Sequence, residues 1–254
     1  MHHYFIENEN IATVNSPTFR VEFNKVDEKH LCAQRLKVGE HITVVDKSKN
    51  YFELELTQIS LKIIEARISQ RKDFIDKKYD LSIFQGISKG SKLDDVLRAT
   101  TEIGINKFFA ISMQRSIAKV KDVAIDKKIE RLNSIARSAS MQSGRMDIPK
   151  VTFINDFSNF IEIAKTLDIL FVFWEKAKMT ETIESALLNS QDTKSIGILV
   201  GPEGGISDDE LDELKKLKQT RICTLGQTIL RTQTAGIVST AIVKHLLDAK
   251  VNSR

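Results

Sequence analysis

The sequence predicts an α/β protein in which a mostly parallel sheet is preceded by a small β-barrel. Three observations predict it. Apolar runs at 81–85, 107–111, 151–154, 168–174, 196–200 and 221–225 alternate with helix-like segments, the texture of a parallel sheet with crossover helices. The first seventy residues instead read as short, closely spaced strands with a single helical stretch. Between the two textures lies a polar, highly charged segment, "SQRKDFIDKKYD". The boundaries expected are therefore a barrel over 1–70, a linker over 71–80 and the α/β domain over 81–254.

In the first part, "HITVVD" (41–46), "YFELELTQI" (51–59) and "LKIIEARI" (61–68) are rich in β-branched and aromatic residues that often alternate with polar ones. "VDEKHLCAQRL" (26–36) reads as one short helix, with Asp27 as cap and Gly39 soon after it. In the second part, 123–142 carries Ile125, Ile129, Leu132, Ile135, Ala136, Ala139 and Met141 at roughly helical spacing, and Gly144 stops it. Ser207 with Glu210 forms a capping box at the head of a further helix. Asp208 and Asp209 fill its first turn and Lys215, Lys216 and Lys218 lie at its other end. These acids therefore read as caps rather than as catalytic or metal-binding groups.

No apolar run approaches the roughly 20 residues that span a bilayer, and "MHHYFIENEN" lacks the basic-then-apolar pattern of a secretory signal. Cys32 and Cys223 stand in no metal-like spacing, and histidines 2, 3, 30, 41 and 245 form no metal or triad pattern. The expectation is a cytoplasmic protein without metal or membrane. Net charge is +4, but residues 115–145 hold eight basic side chains against three acidic ones, leaving the rest of the chain near neutrality. Such a zone reads either as a polyanion-facing surface, nucleic acid being the commonest, or as a solvated helix face with paired charges.

Two stretches carry chemistry. "LVGPEGG" ends a buried strand in three glycines, a proline and Glu203. "TLGQTILRTQTA" leaves a second strand through Leu225 and Gly226 before an apolar helix near Thr234. Neither is a dinucleotide fingerprint nor a P-loop. Adjacent strand ends that open into glycine turns are where open α/β sheets place ligands. The helix over 234–247 carries Gly236, Ser239, Thr240 and Ala241, small residues that allow close packing within the domain or against a second copy.

Together with "HLCAQRLKVGEHITVVD", "KGSKLDDVLRATTEIGI", "QRSIAK" and "KKIERLNSIARSASMQSGRMDIPKV", these stretches resemble the ribosomal RNA small-subunit methyltransferase E family of the SPOUT class. The resemblance spans nearly the whole chain. It implies a PUA-like barrel, a trefoil-knotted methyltransferase domain and a homodimer. It also implies N3-methylation of a uridine near the 3′ end of 16S rRNA, in the small ribosomal subunit, with S-adenosylmethionine. The cofactor would be held by loops after Phe173-Trp174, after Val200 and from Leu225 to Leu230. Its adenine would lie among Leu199, Leu225, Ile229 and Leu230, with Gly201, Gly205 and Gly226 admitting it and Trp174 alongside. Lys89, Lys127, Lys128, Arg131 and Arg145 are the expected RNA contacts; Lys127, Lys128 and Arg131 lie on a predicted helix in the basic zone, where long side chains suit phosphate.

Arg115 and Arg231 are candidates for stabilising a uracil anion or holding phosphate, and Glu102 and Glu203 for accepting a proton or orienting an arginine. Each reads equally as half of a structural ion pair. The chain departs from the family pattern at Gln114 and Gln233, where acids are common, and at Gln227-Thr228, where Pro-Arg is frequent. A carboxylate role at 114 or 233 is thereby excluded. The rival readings are a non-catalytic RNA-binding assembly factor on the same scaffold, or a methyltransferase for another rRNA or tRNA base.

Overall fold

The structure, a computed structural model, describes residues 2–25, 27, 34–60, 63–72, 78–116, 125–177, 182–188 and 193–252. The helix expected over 26–36 falls mostly outside them. The chain forms two compact units, 1–76 with 140–147 and 77–139 with 148–254.

The first unit is built on strands β1 (His2–Phe5), β2 (Phe19–Arg20), β3 (His41–Val45), β4 (Tyr51–Ile59) and β5 (Ile64–Lys72). Their order is β1-β3-β4-β5-β2, antiparallel except for the β1–β3 pair. The alternation read in 51–59 buries Phe52, Leu54 and Leu56 against Tyr4, Ile42, Val44 and Ala66. Beyond the two edge strands the chain meets itself, where Glu7 N–H donates to the Glu22 carbonyl (2.6 Å). That contact satisfies backbone groups a free edge would leave open.

Residues 140–147 join this unit, whereas the sequence boundaries place them in the second. His3 explains the docking. Its Nε2–H donates to the Arg145 carbonyl (2.7 Å) and its Nδ1 bonds the Thr43 hydroxyl (2.8 Å), while Met141 packs on the core. Burial, partly offset by the carbonyl, lowers the His3 pKa and favours the neutral ring.

The second unit is a six-stranded sheet in which every pairing is parallel. Its strands are β6 (Asp80–Gly86), β7 (Lys107–Ile111), β8 (Lys150–Ile154), β9 (Ile169–Phe173), β10 (Ser195–Val200) and β11 (Thr220–Cys223), in the order β11-β9-β10-β6-β7-β8. A parallel sheet is covered on both faces, so its strands read as continuous apolar runs. On one face Ile83, Phe108, Phe171 and Ile198 pack beneath α1 (Lys92–Ile103), α2 (Ile125–Gln142), α4 (Ile183–Leu188) and α6 (Thr232–Asn252). On the other, Phe84, Phe109, Val172 and Leu199 pack beneath α3 (Phe157–Ala164) and α5 (Asp208–Lys215). Phe84 and Phe109 stack there with ring centroids 4.6 Å apart. The capping box at α5 forms as read. Glu210 does more than cap, because its second oxygen accepts the Gln114 N–H (2.8 Å).

Order reverses between β10 and β6, and polar groups pin the chain at that point. Buried Gln85 on β6 donates to Thr232 Oγ1 (2.8 Å), and that hydroxyl donates to the Gly201 carbonyl (2.6 Å). Gly236 on α6 lies directly over Gln85: a Cβ there would sit 2.5 Å from Oε1 and 3.1 Å from Val96 Cγ1. In an open helix Gly→Ala stabilises by about 1 kcal/mol. Here Gly236→Ala is expected to destabilise by about 1–2 kcal/mol in urea unfolding, since overpacking outweighs propensity. A variant more stable than wild type would contradict that packing.

Candidate active site

Three loops leave the carboxyl ends of β9, β10 and β11 side by side and enclose a small cleft. Crevices at the carboxyl ends of parallel strands are where open α/β sheets bind ligands. Trp174, Val200, Gly201, Gly205, Leu225, Gly226, Ile229 and Leu230 line it, as do Glu175, Pro202, Ile206, Thr224, Thr228 and Thr232. The loops are held by their own backbones. Trp174 N–H donates to Cys223 C=O (3.0 Å), and Gly205 N–H to Pro202 C=O (2.9 Å). Thr224 Oγ1 closes a turn on Gly226, donating to its carbonyl (3.0 Å). Gly226 adopts φ 117°, a conformation costly for any side chain.

Leu199 is a correction. It is fully buried on the opposite face of β10, packed with Phe84 and Phe160, and does not line the cleft. Alternation along a strand sends 198 and 200 to one face and 199 to the other, which composition alone does not reveal.

Arg115 lies beside the β10 loop, not in the cleft. Its Nη1 donates to the Ile206 carbonyl (3.1 Å) and its Nη2 is 3.6 Å from Asp208. Glu203 is likewise engaged, accepting from Lys89 N–H (3.0 Å) and from Lys92 Nζ (2.9 Å). Burial pushes its carboxyl upward, but the Lys92 ammonium and the N–H groups of Glu203 and Lys89 outweigh this and hold it below the usual glutamate range. A carboxylate held ionised in this way is a poor proton acceptor and a good tether between the β10 loop and the head of α1. Glu102 stands apart: it is exposed near the other end of α1, about 15 Å along the helix from Lys92. Arg231 is exposed at the end of the β11 loop, and its side chain has no acidic partner among the described residues.

The basic zone is less free than its composition implies. Arg131 forms a two-pronged ion pair with Asp94, whose side chain is only 9% exposed. The Arg145 side chain, also 9% exposed, donates to the carbonyl and carboxylate of Asp147 within the first unit. Both guanidinium groups are thus engaged within the fold, with that of Arg131 still 52% exposed. Lys128 is half-buried, and burial together with neighbouring Arg131 lowers its pKa. Lys127 and Lys89 are exposed.

Residues 76–244 match the family model described as an RNA methyltransferase domain. The ribosomal RNA small subunit methyltransferase E of Bacillus subtilis is 28% identical over 96% of each chain. A second, from Borreliella burgdorferi, is 30% identical over 85% of this chain and 86% of its own. The chain belongs to the ribosomal RNA small subunit methyltransferase E family. A solved methyltransferase E from Neisseria gonorrhoeae, bound to S-adenosyl methionine, shares the fold with a TM-score of 0.78 at 23% identity, covering 97% of this chain and 98% of its own.

Sequence reasoning toward this cleft missed Glu175, Gln85 and Thr232. A glutamine inside an apolar strand was the available signal for Gln85, because a buried amide requires a fixed partner. The Glu203 tether gives a pH test. A carboxylate whose folded pKa is depressed stabilises above its unfolded pKa, and that contribution is lost as pH falls through the folded value. The urea midpoint of wild type is therefore expected to exceed that of Glu203→Gln at neutral pH and to converge with it in acid. A gap that persists undiminished in acid would contradict the tether.

Proposed function

We propose that this chain is an S-adenosylmethionine-dependent methyltransferase that acts on N3 of one uridine near the 3′ end of 16S rRNA. Family membership supports methyl transfer to ribosomal RNA, and one feature of the cleft carries the cofactor reading. Ile229 is 79% exposed between Leu225 and Leu230 on a loop whose first turn is closed by the Thr224 hydroxyl on Gly226. An apolar side chain left bare in a cleft wall fits a base that covers it. At Gly226 a Cβ would meet nothing within 4 Å, so the β11 loop is open there to close approach of a ligand. When bound, the cofactor supplies an electrophilic methyl carbon.

The chain's own residues divide the remaining work. Leu225, Ile229, Leu230 and Trp174 bind and shield the adenine side, and Thr228 offers a hydroxyl. Arg115 is a positioning residue, because its guanidinium is committed to Ile206 and Asp208 and so shapes the β10 loop. Arg231 is the better candidate for stabilising the uracil anion that forms as N3 gives up its proton. Lys89 and Lys127 suit phosphate contact, which positions RNA without reading sequence.

The fold reading goes with this function. The contact between Glu7 and Glu22 supports a closed PUA-like barrel in the first unit. In the second, the chain leaves edge strand β11, is pinned at Thr232 against the β10 loop and returns to lie on β6, β10 and α1. That path supports a trefoil knot. The α6 positions Thr234, Ala241, Ile242 and His245 are exposed, with Ala241 and Ile242 apolar and adjacent, which supports pairing with a second copy in a homodimer.

The test is methyl transfer from labelled S-adenosylmethionine to small subunits or 16S rRNA lacking the modification, mapped by mass spectrometry. The expected product is a single N3-methyluridine near the 3′ end, formed by a protein of twice the single-chain mass in light scattering. Arg231→Ala is expected to slow single turnover at saturating substrates about 100-fold with little change in cofactor affinity. Methylation of another base, or none, would overturn the substrate assignment. An unchanged Arg231→Ala rate would remove that arginine from the chemistry.

A further inference from the structure

Glu175 is the one ionisable side chain among the described residues lining the cleft. It follows Trp174 on the β9 loop, and its carboxylate lies across the gap to the β10 loop. An ideal Cβ built on Gly205 would stand 3.2 Å from one carboxylate oxygen and 3.6 Å from the other. Gly205, with φ 72°, has the residue type that leaves this place open. The other acids near the site are engaged: Glu203 by Lys92, Glu210 by Ser207 and Gln114, and Asp208 by Arg115. No hydrogen bond or ion pair engages the Glu175 carboxylate among the described residues. The cleft thus presents one unpaired negative charge in a lining that is otherwise apolar or neutral.

We propose that Glu175 selects for the charge of the bound cofactor, favouring the cationic methyl donor over its neutral product. The inference rests on the methyltransferase reading given above. In methyl transfer the S–C bond breaks, its electron pair stays on sulfur, and a new bond forms to N3, whose proton passes to solvent. Sulfur goes from a sulfonium cation to a neutral thioether. Adenine, ribose and the amino-acid tail are the same before and after. Apolar walls and backbone amides therefore hold donor and product almost equally, and only a charge can tell them apart.

A carboxylate in the cleft attracts the donor and loses most of that attraction once the methyl has left. Across a half-solvated cleft, unit charges several ångströms apart are worth about tenfold in affinity. Binding strength is thereby spent on the reactant, and release of the product is eased.

The test is calorimetry of wild type, Glu175→Gln and Glu175→Asp with three ligands. S-adenosylmethionine is a sulfonium, sinefungin places an ammonium at the same position, and S-adenosylhomocysteine is neutral there. Glu175→Gln is expected to weaken the two cationic ligands about tenfold and the neutral one less than about twofold, with Glu175→Asp retaining most of the preference. Undiminished binding of S-adenosylhomocysteine shows that the variant's cleft is intact. If all three ligands weaken together, Glu175 serves a part common to them and charge selection is overturned. If none changes, the carboxylate does not act on the cofactor and the proposal likewise fails. If wild type binds none of the three, it is the methyltransferase reading that falls.

Discussion

The hydroxyl of Thr232 accepts from Gln85 and donates to the Gly201 carbonyl, and through it three separate parts of the second unit meet. Gln85 belongs to the central strand β6, Thr232 opens the long helix α6, and Gly201 begins the β10 loop. Buried polar groups without partners cost about 1–3 kcal/mol each, so the three groups constrain one another. That constraint brings the β11 loop and the head of α6 against the β10 loop and gives the cleft its floor. Gly236 allows it by letting α6 lie directly on the Gln85 amide.

Charge around the cleft is arranged in layers. Glu203 ties the β10 loop to α1, Arg115 holds the same loop from its other side, and Glu210 fastens the Gln114 backbone. These groups carry charge but spend it on the scaffold. Among the described residues, Glu175 in the cleft and Arg231 at its margin are not spent in this way, one of each sign. In the proposed reaction, a cationic donor and an anionic acceptor would meet that pairing of charges.

Much of the second unit was legible in the sequence, because strands buried on both faces must read as apolar runs. The six runs read there correspond to β6–β11. The glycine turns that bound the cleft were legible for a related reason: close backbone approach requires the residue type. Leu199 was misplaced because its neighbours are equally apolar, so the face it takes depends on the register of β10. The pairing of Arg131 with Asp94 and of Arg145 with Asp147 was not legible, because a sequence lists charges without their partners. Residues 140–147 were assigned to the wrong unit for a similar reason. The bond that docks them comes from His3, far away in the chain.

The central claim is that the loops after β9, β10 and β11 together form the cofactor site. Amide hydrogen exchange with and without saturating S-adenosylmethionine tests it most directly. Slower exchange is expected in 174–177, 201–207 and 224–232, the three loops at once, with the first unit unaffected. Binding confirmed by calorimetry but with protection confined to other segments, or to only one of the three loops, would contradict the claim.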